Sequence, residues 1–296
     1  MRNLLCLLIC LAPMLGFAEG DWEWWNVKHG WEPGMRDWRG LLHITPGYLG
    51  PNALPVPEMK KGVVLPGSSF ELSTDFHFRT GDPTQDIAGK YYRSFANNKI
   101  AIELYMVLLE HYNMSDTIRD ERIARDHDGK GWGRGDFYFS TLLQLIKGRK
   151  FPDTMLRLSG RTASGEPLEA ARYSDSPGYF LDISFSKEYT GANKNISFKP
   201  YTDLGFYSWQ TNDDLNLQND ALMYGVGADF KWSKWMVSNS LSGYSGYKKE
   251  RDRPMVYTFD LNRTLKKNTI RFQYLYGMRD WTYKTVKLSF IWNLNK

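Results

Sequence analysis

A chain of 296 residues with 38 basic and 33 acidic side chains carries a formal charge of +5. That balance is too even to imply nucleic acid or an acidic polymer as a partner. Both cysteines, Cys6 and Cys10, fall in the first ten residues, which excludes disulfides and thiolate metal sites from the rest of the chain.

The chain opens like a secreted protein. Arg2 supplies a positive start, residues 4–15 are an apolar run, and Gly16-Phe17-Ala18 ends it with small residues at the −3 and −1 positions. This predicts a signal peptide over residues 1–18, too short to span a bilayer as a helix. Ile9 precedes Cys10 where a lipoprotein would need a small residue, and the apolar run continues beyond it.

Residues 19–67 lack strand alternation. Trp22, Trp24, Trp25, Trp31 and Trp38 crowd the first part, and Pro46, Pro51, Pro55, Pro57 and Pro66 punctuate the rest. Proline cannot donate to a ladder, so an irregular segment is expected. Disordered tails are poor in aromatics, so something should cover five indoles. With its end in the periplasm, the segment is expected to lie across that mouth or to fold into a lumen as a plug.

From residue 68 onward the period is two. Phe70, Leu72, Thr74, Phe76 and Phe78 alternate with Glu71, Ser73, Asp75, His77 and Arg79. The same pattern recurs near residues 100–108, 156–161, 181–186, 222–232, 257–262, 270–277 and 286–294. A β-sandwich also alternates, but its strands are nearer five or six residues, while membrane strands need about nine to eleven. No stretch reaches the ~20 apolar residues of a membrane helix. A mean hydropathy of −0.50 with 15% aromatic residues suits a barrel whose second face meets a polar lumen. Trp232, Trp235, Trp209, Tyr179, Trp281, Tyr283 and Trp292 sit near segment ends, as an interfacial girdle requires. Tight connections at 148–153, 233–234 and 265–268 contrast with looser ones at 162–177, 210–218, 248–254 and 277–282.

The expected fold is therefore all-β: a transmembrane antiparallel barrel of about twelve strands over residues 68–296, in the outer membrane. Parity with both ends in the periplasm assigns a rising strand to the charged stretch 117–126. The alternative is ten strands, with 117–134 as one loop.

Several short motifs carry a resemblance: Gly50-Pro51-Asn52-Ala53-Leu54-Pro55-Val56-Pro57, Arg119-Asp120-Glu121, Asp128-Gly129-Lys130-Gly131, Gly135-Asp136, Pro152-Asp153 and Thr162-Ala163-Ser164-Gly165. In these the chain resembles uncharacterised outer-membrane β-barrel proteins of Bacteroidetes-type bacteria. The resemblance implies a location and a fold and no activity. Gly135-Asp136 and Thr162-Ala163-Ser164-Gly165 also resemble barrels linked to uptake of aromatic compounds. The last strand is similar to an assembly signal in Phe290-x-Trp292, and departs from it by ending in Asn295-Lys296.

Candidate chemistry is sparse. Lipid-acting barrels place His two residues before Ser so that imidazole can take the hydroxyl proton. Here His77, His111 and His127 are followed two on by Arg79, Asn113 and Gly129. Asp126 and Asp128 before Gly129 are weak candidates for a calcium loop, whose twelfth position is Phe137 and not a bidentate Glu. No cofactor is expected.

The alternation assigns Glu71, Asp75, His77, Arg79, Glu103, Arg157, Arg161, Asp182, Lys199, Asp203, Asp229, Lys231, Arg271 and Lys287 to the lumen, with Tyr105, Tyr201 and Tyr207 as further candidates for substrate selection. Charges this balanced in a confined space favour pairing over a single-sign field. The leading expectation is a small-solute channel or transporter in contact with the lipid bilayer. The alternative is a structural barrel with a closed, salt-bridged lumen, interacting with envelope proteins through loop 162–177. A lipid-acting enzyme comes third.

Overall fold

Alternating segments bury nothing unless their polar faces meet, and closing the sheet is what brings them together. The computed structural model describes residues 22–148, 150–192 and 195–294, so the leader lies outside the described residues. The strands are β1 (Ser68–Phe78), β2 (Thr84–Phe95), β3 (Ile100–Asn113), β4 (Lys130–Gly133), β5 (Phe137–Ile146), β6 (Asp153–Arg161), β7 (Gly178–Ser186), β8 (Tyr189–Thr190), β9 (Ile196–Asp213), β10 (Asn216–Trp232), β11 (Trp235–Gly246), β12 (Met255–Leu265), β13 (Asn268–Arg279) and β14 (Lys284–Asn293). Twelve of them form one antiparallel barrel; β4 and β8 are short additions on β3 and β9. The ring closes where β1 meets β14, from Ser69 opposite Asn293 to Phe78 opposite Lys284.

The count of twelve stands, but one of its strands is not where the sequence pattern put it. Residues 117–126 form no strand. Asp116–Glu121 is a helix, α2, whose N-cap Ser115 accepts from the Ile118 N–H and whose Asp116 and Arg119 pair at i,i+3. The twelfth strand is β2 instead. Its outward row runs Gln85, Ile87, Gly89, Tyr91, Arg93, Phe95, and polar residues and a glycine interrupt the apolar alternation there.

Outside, Leu72, Phe78, Ile87, Leu158, Leu181, Leu204, Leu222 and Leu288 stay exposed, as lipid-facing residues must. Phe198, Phe230 and Trp292 are exposed near the short-turn end, and Tyr179 and Tyr276 near the loop end. Trp209, Trp281 and Tyr283 are not part of such a girdle: all three are buried. The 210–218 connection is also tighter than its composition suggests, because β9 and β10 pair as far as Asp213 opposite Asn216. Leu288, opposite Thr74 and Phe272, tests the outward face. Leu288→Arg should cost about 2–4 kcal/mol in liposome unfolding while Leu288→Ile changes little. Equal stabilities would mean the face is not in lipid.

The start of β1 and the end of β14 share one end of the barrel with the turns at 233–234 and 266–267, which marks that end as periplasmic by the usual asymmetry. The other end carries the longer loops 114–136 and 162–177. The described residues fall into two compact units, one ending at Met35 and one starting at Arg36. In the first, helix α1 (Glu23–His29) ends at Gly30 in the left-handed conformation, and Trp25 packs on His29 and Trp31.

Candidate functional site in the barrel lumen

The core of the second unit lies inside the barrel. Leu42, Ile44, Leu49, Ala53 and Leu54 pack against Phe180, Tyr207, Trp209 and Tyr244 of the wall and against Leu168 and Tyr173 of a loop. The segment from Arg36 to Gly67 therefore runs through the lumen. Arg36 pairs with Asp214 at the β9–β10 turn, 2.9 Å away, on the loop end. At the other end Gly62 and Val64 donate to Ser184 and Gln144, and Tyr92 donates to the Leu65 carbonyl. The segment thus enters from the loop mouth and descends to β1.

Irregular backbone inside a barrel needs a partner for each polar group. Side chains of the wall supply several of them. The Ile44 carbonyl accepts from the Trp209 indole (2.8 Å), that of Pro51 from Trp281 (2.9 Å), that of Ala53 from Arg161 (2.8 Å) and that of Leu54 from the Tyr244 hydroxyl (2.8 Å). Gly50 donates to the Ala171 carbonyl. Prolines at 51, 55 and 57 lower the demand, since each removes a donor. The Gly50–Pro57 motif is thus a string of acceptors facing indole, guanidinium and hydroxyl donors. Gly62 is needed for close approach: it sits at φ +70°, and a Cβ there would meet the Asp153 carbonyl at 2.5 Å.

Charges form three layers. At the loop end, Asp82 accepts from Arg122 (2.6 Å), Arg172 (2.7 Å) and the Tyr283 hydroxyl. Glu110 accepts from Arg172 (2.8 Å), Tyr173 (2.9 Å) and Asn52 (2.8 Å), and Asn52 also donates to Asp86 (2.7 Å). His77 bridges Asp86 and Thr285, at 2.7 Å on each ring nitrogen. In the middle, Glu58 of the segment meets Lys90 (2.8 Å) and Arg271 (2.5 Å), Arg271 meets Asp260 (2.7 Å), and Lys287 meets Asp75 (2.8 Å). Lower down, Lys60 pairs with Glu103 (2.8 Å) and Lys61 with Asp229 (2.7 Å), beside the wall pair Arg157–Asp182 (2.6 Å). Between the segment and the wall lies a cavity of about 210 Å³.

Asp75, His77, Glu103, Arg157, Asp182, Asp229, Arg271 and Lys287 belong to these layers, Glu71 joins the middle one 3.4 Å from Lys90, and Arg161, which holds the Ala53 carbonyl, pairs with Asp136 at 3.0 Å. Asp203 accepts from the Lys60 N–H. Lys199 is half-buried, Lys231 is exposed near the turn end of β10, and Arg79 lies past β1, 3.5 Å from Glu121. Tyr105 and Tyr201 line the cavity, whereas Tyr207 is in the aromatic core. Asp126 and Asp128 do not converge: Asp126 accepts from Tyr112 and Asp128 is exposed beside His127. Among the described residues, the group close enough to share an ion is Asp75, His77 and Asp86. Asn52, Glu58, Lys60, Lys61, Asp82, Asp86, Lys90, Glu110, Arg122 and Arg172 also belong to the site, although no sequence pattern marks them. Loop 162–177 is not simply a surface loop, since Leu168 and residues 170–174 are buried in the mouth.

Asp82, between β1 and β2, has a predictable pH response. Burial works to raise its carboxyl pKa, but Arg172 and Arg122 outweigh this and hold it at about 2. A lowered folded value stabilises the fold above the unfolded value of about 3.9, and the contribution is lost as pH falls through the folded one. Near-ultraviolet circular dichroism should show loop-end aromatics loosening between about pH 4 and 2. Asp82→Asn should lose that part of the transition; an unchanged transition would show that Asp82 is not its source.

No family model and no curated protein matches this chain. Solved structures do. The COG4313 outer membrane channel from Pseudomonas putida F1 superposes with a TM-score of 0.53 at 10% identity, over 80% of this chain and 99% of that one. The fold is an outer-membrane β-barrel. The KdgM porin (TM-score 0.48, 7% identity) and the NanC porin (0.48, 11%) each align with 76% of this chain, over 99% and 100% of their own lengths. In an outer-membrane barrel the exposed leucines above face lipid, and the layers described here fill what would otherwise be the aqueous path.

Proposed function

We propose that the protein is an outer-membrane channel for small solutes whose path is held shut by its own N-terminal segment and opens when that segment moves. The observation that supports this reading is the way residues 42–67 are held. They join no strand of the barrel; side-chain hydrogen bonds, ion pairs and a few isolated backbone bonds such as Gly50 to Ala171 and Ser94 to Gly67 anchor them, with an apolar cluster at the loop end. Water can replace each of those polar partners once the lumen is wet, so the segment can leave without opening the wall. A cavity already lies beside it.

A structural barrel with a closed lumen is the second reading, favoured by the complete burial of Arg172 between Asp82 and Glu110. Single-channel recording of refolded protein in planar bilayers separates the two. Discrete openings support the channel; a barrel that stays silent even without its segment supports the structural role.

A further inference from the structure

Buried polar atoms nearly always find a partner, so those that lack one and line a cavity mark what the cavity is built to meet. Among the described residues four such atoms belong to side chains that line the lumen cavity, the Tyr138 hydroxyl and three on charged groups. Oδ1 of Asp75 and Oε1 of Glu71 have no hydrogen-bond donor, and Nη2 of Arg157 has no acceptor; all three side chains are more than nine-tenths buried. Their other atoms are taken. Asp75 Oδ2 accepts from Lys287, Glu71 Oε2 has Lys90 at 3.4 Å while Oε1 has only the more distant charge of Arg271 at 3.7 Å, and Arg157 donates through Nε to Asp182 and through Nη1 to the Glu58 carbonyl. The acceptors without a hydrogen bond are on β1 and the donor without one is on β6, with β2, β3 and β5 between them.

The charge of the lining narrows the ligand further. Among its described residues, Glu58, Glu71, Asp75, Glu103 and Asp260 are balanced by Lys61, Lys90, Arg157, Arg271 and Lys287. A lining of net zero charge gives no advantage to a free anion or a free cation. A molecule with both charges on one small frame gains at both walls.

We infer that the cavity is a binding site for a small zwitterion of the amino-acid kind, with its carboxylate on Arg157 and its ammonium on Asp75 and Glu71. Its role as a transport site rests on the channel reading above; the binding itself does not. At about 210 Å³, against the ~10–15 Å³ that one water needs by this measure, the space admits a solute of that size.

The test is calorimetric titration of the full folded protein in detergent with L-glutamine, glutarate and 1,5-diaminopentane, which share a similar length and differ in charge. Glutamine should bind and the other two should not. Arg157→Gln and Asp75→Asn, each checked for heat-modifiable migration on gels, should weaken glutamine roughly tenfold to a hundredfold, the range for losing one charge-assisted hydrogen bond. Glutamine bound no better than glutarate or the diamine overturns the inference, and that comparison needs no variant to fold. Binding without conductance in bilayers keeps the site and removes the channel reading. Conductance without binding removes the site.

Discussion

Deleting Glu19 to Lys60 should raise conductance sharply while leaving membrane insertion intact. The deletion removes Glu58 and Lys60, and with them the partners of Lys90, Arg271 and Glu103, together with the carbonyls held by Trp209, Trp281, Arg161 and Tyr244. It removes no ladder bond, because every barrel strand begins at Ser68 or later. Lumen charges stripped of their partners become hydrated, and a wet polar lumen conducts. Bilayer recordings of the truncated and intact proteins at equal insertion provide the comparison. Matching traces would mean that the segment does not occlude the path.

The second large effect belongs to Arg172. Its side chain has no exposed surface and divides its donors among Asp82, Glu110 and Thr84. Arg172→Ala would leave two buried carboxylates short of a partner, a change that typically costs 3–5 kcal/mol. Because these residues tie loop 162–177 to the β1–β2 connection and to β3, the loss should appear as faster proteolysis of the loop end and a lower midpoint of heat modification. A variant as stable as the parent in both assays would show that the mouth is held by something else.

The barrel was legible because its signal is repeated: one face apolar, the other polar, over some ten residues, many times. Legibility failed where that signal is weak or imitated. The β2 strand carries Gln85, Gly89 and Arg93 on its lipid side, so its outward row does not read as apolar. The 116–121 stretch is charged because it packs over the mouth, where Arg119 and Arg122 are buried. Trp209 and Trp281 sit at strand ends like girdle residues, and periodicity cannot distinguish an indole facing lipid from one donating to a carbonyl inside.

The candidate site was half visible for a related reason. Alternation assigns wall residues to the lumen, so Asp75, Glu103, Asp229 and Arg271 could be found. It carries no information about a segment that is not a strand, so Asn52, Glu58, Lys60 and Lys61 stayed hidden among prolines. Loop residues such as Asp82 and Arg172 lie outside any periodic pattern and meet only in the folded mouth.

The most direct test of the lumenal segment and its gating role is to tie it to the wall. Gly225 of β10 faces Met59, and a Cβ added there would lie 3.1 Å from Met59 Cγ. That spacing suits a disulfide in the double variant Met59→Cys, Gly225→Cys, with Cys6 and Cys10 replaced so that no other thiol competes. Single-channel conductance is then recorded from the same preparation before and after reduction. The barrel should stay closed while the disulfide is intact and show openings once it is reduced. The same openings in both states, with the disulfide verified on gels, would contradict the gating role.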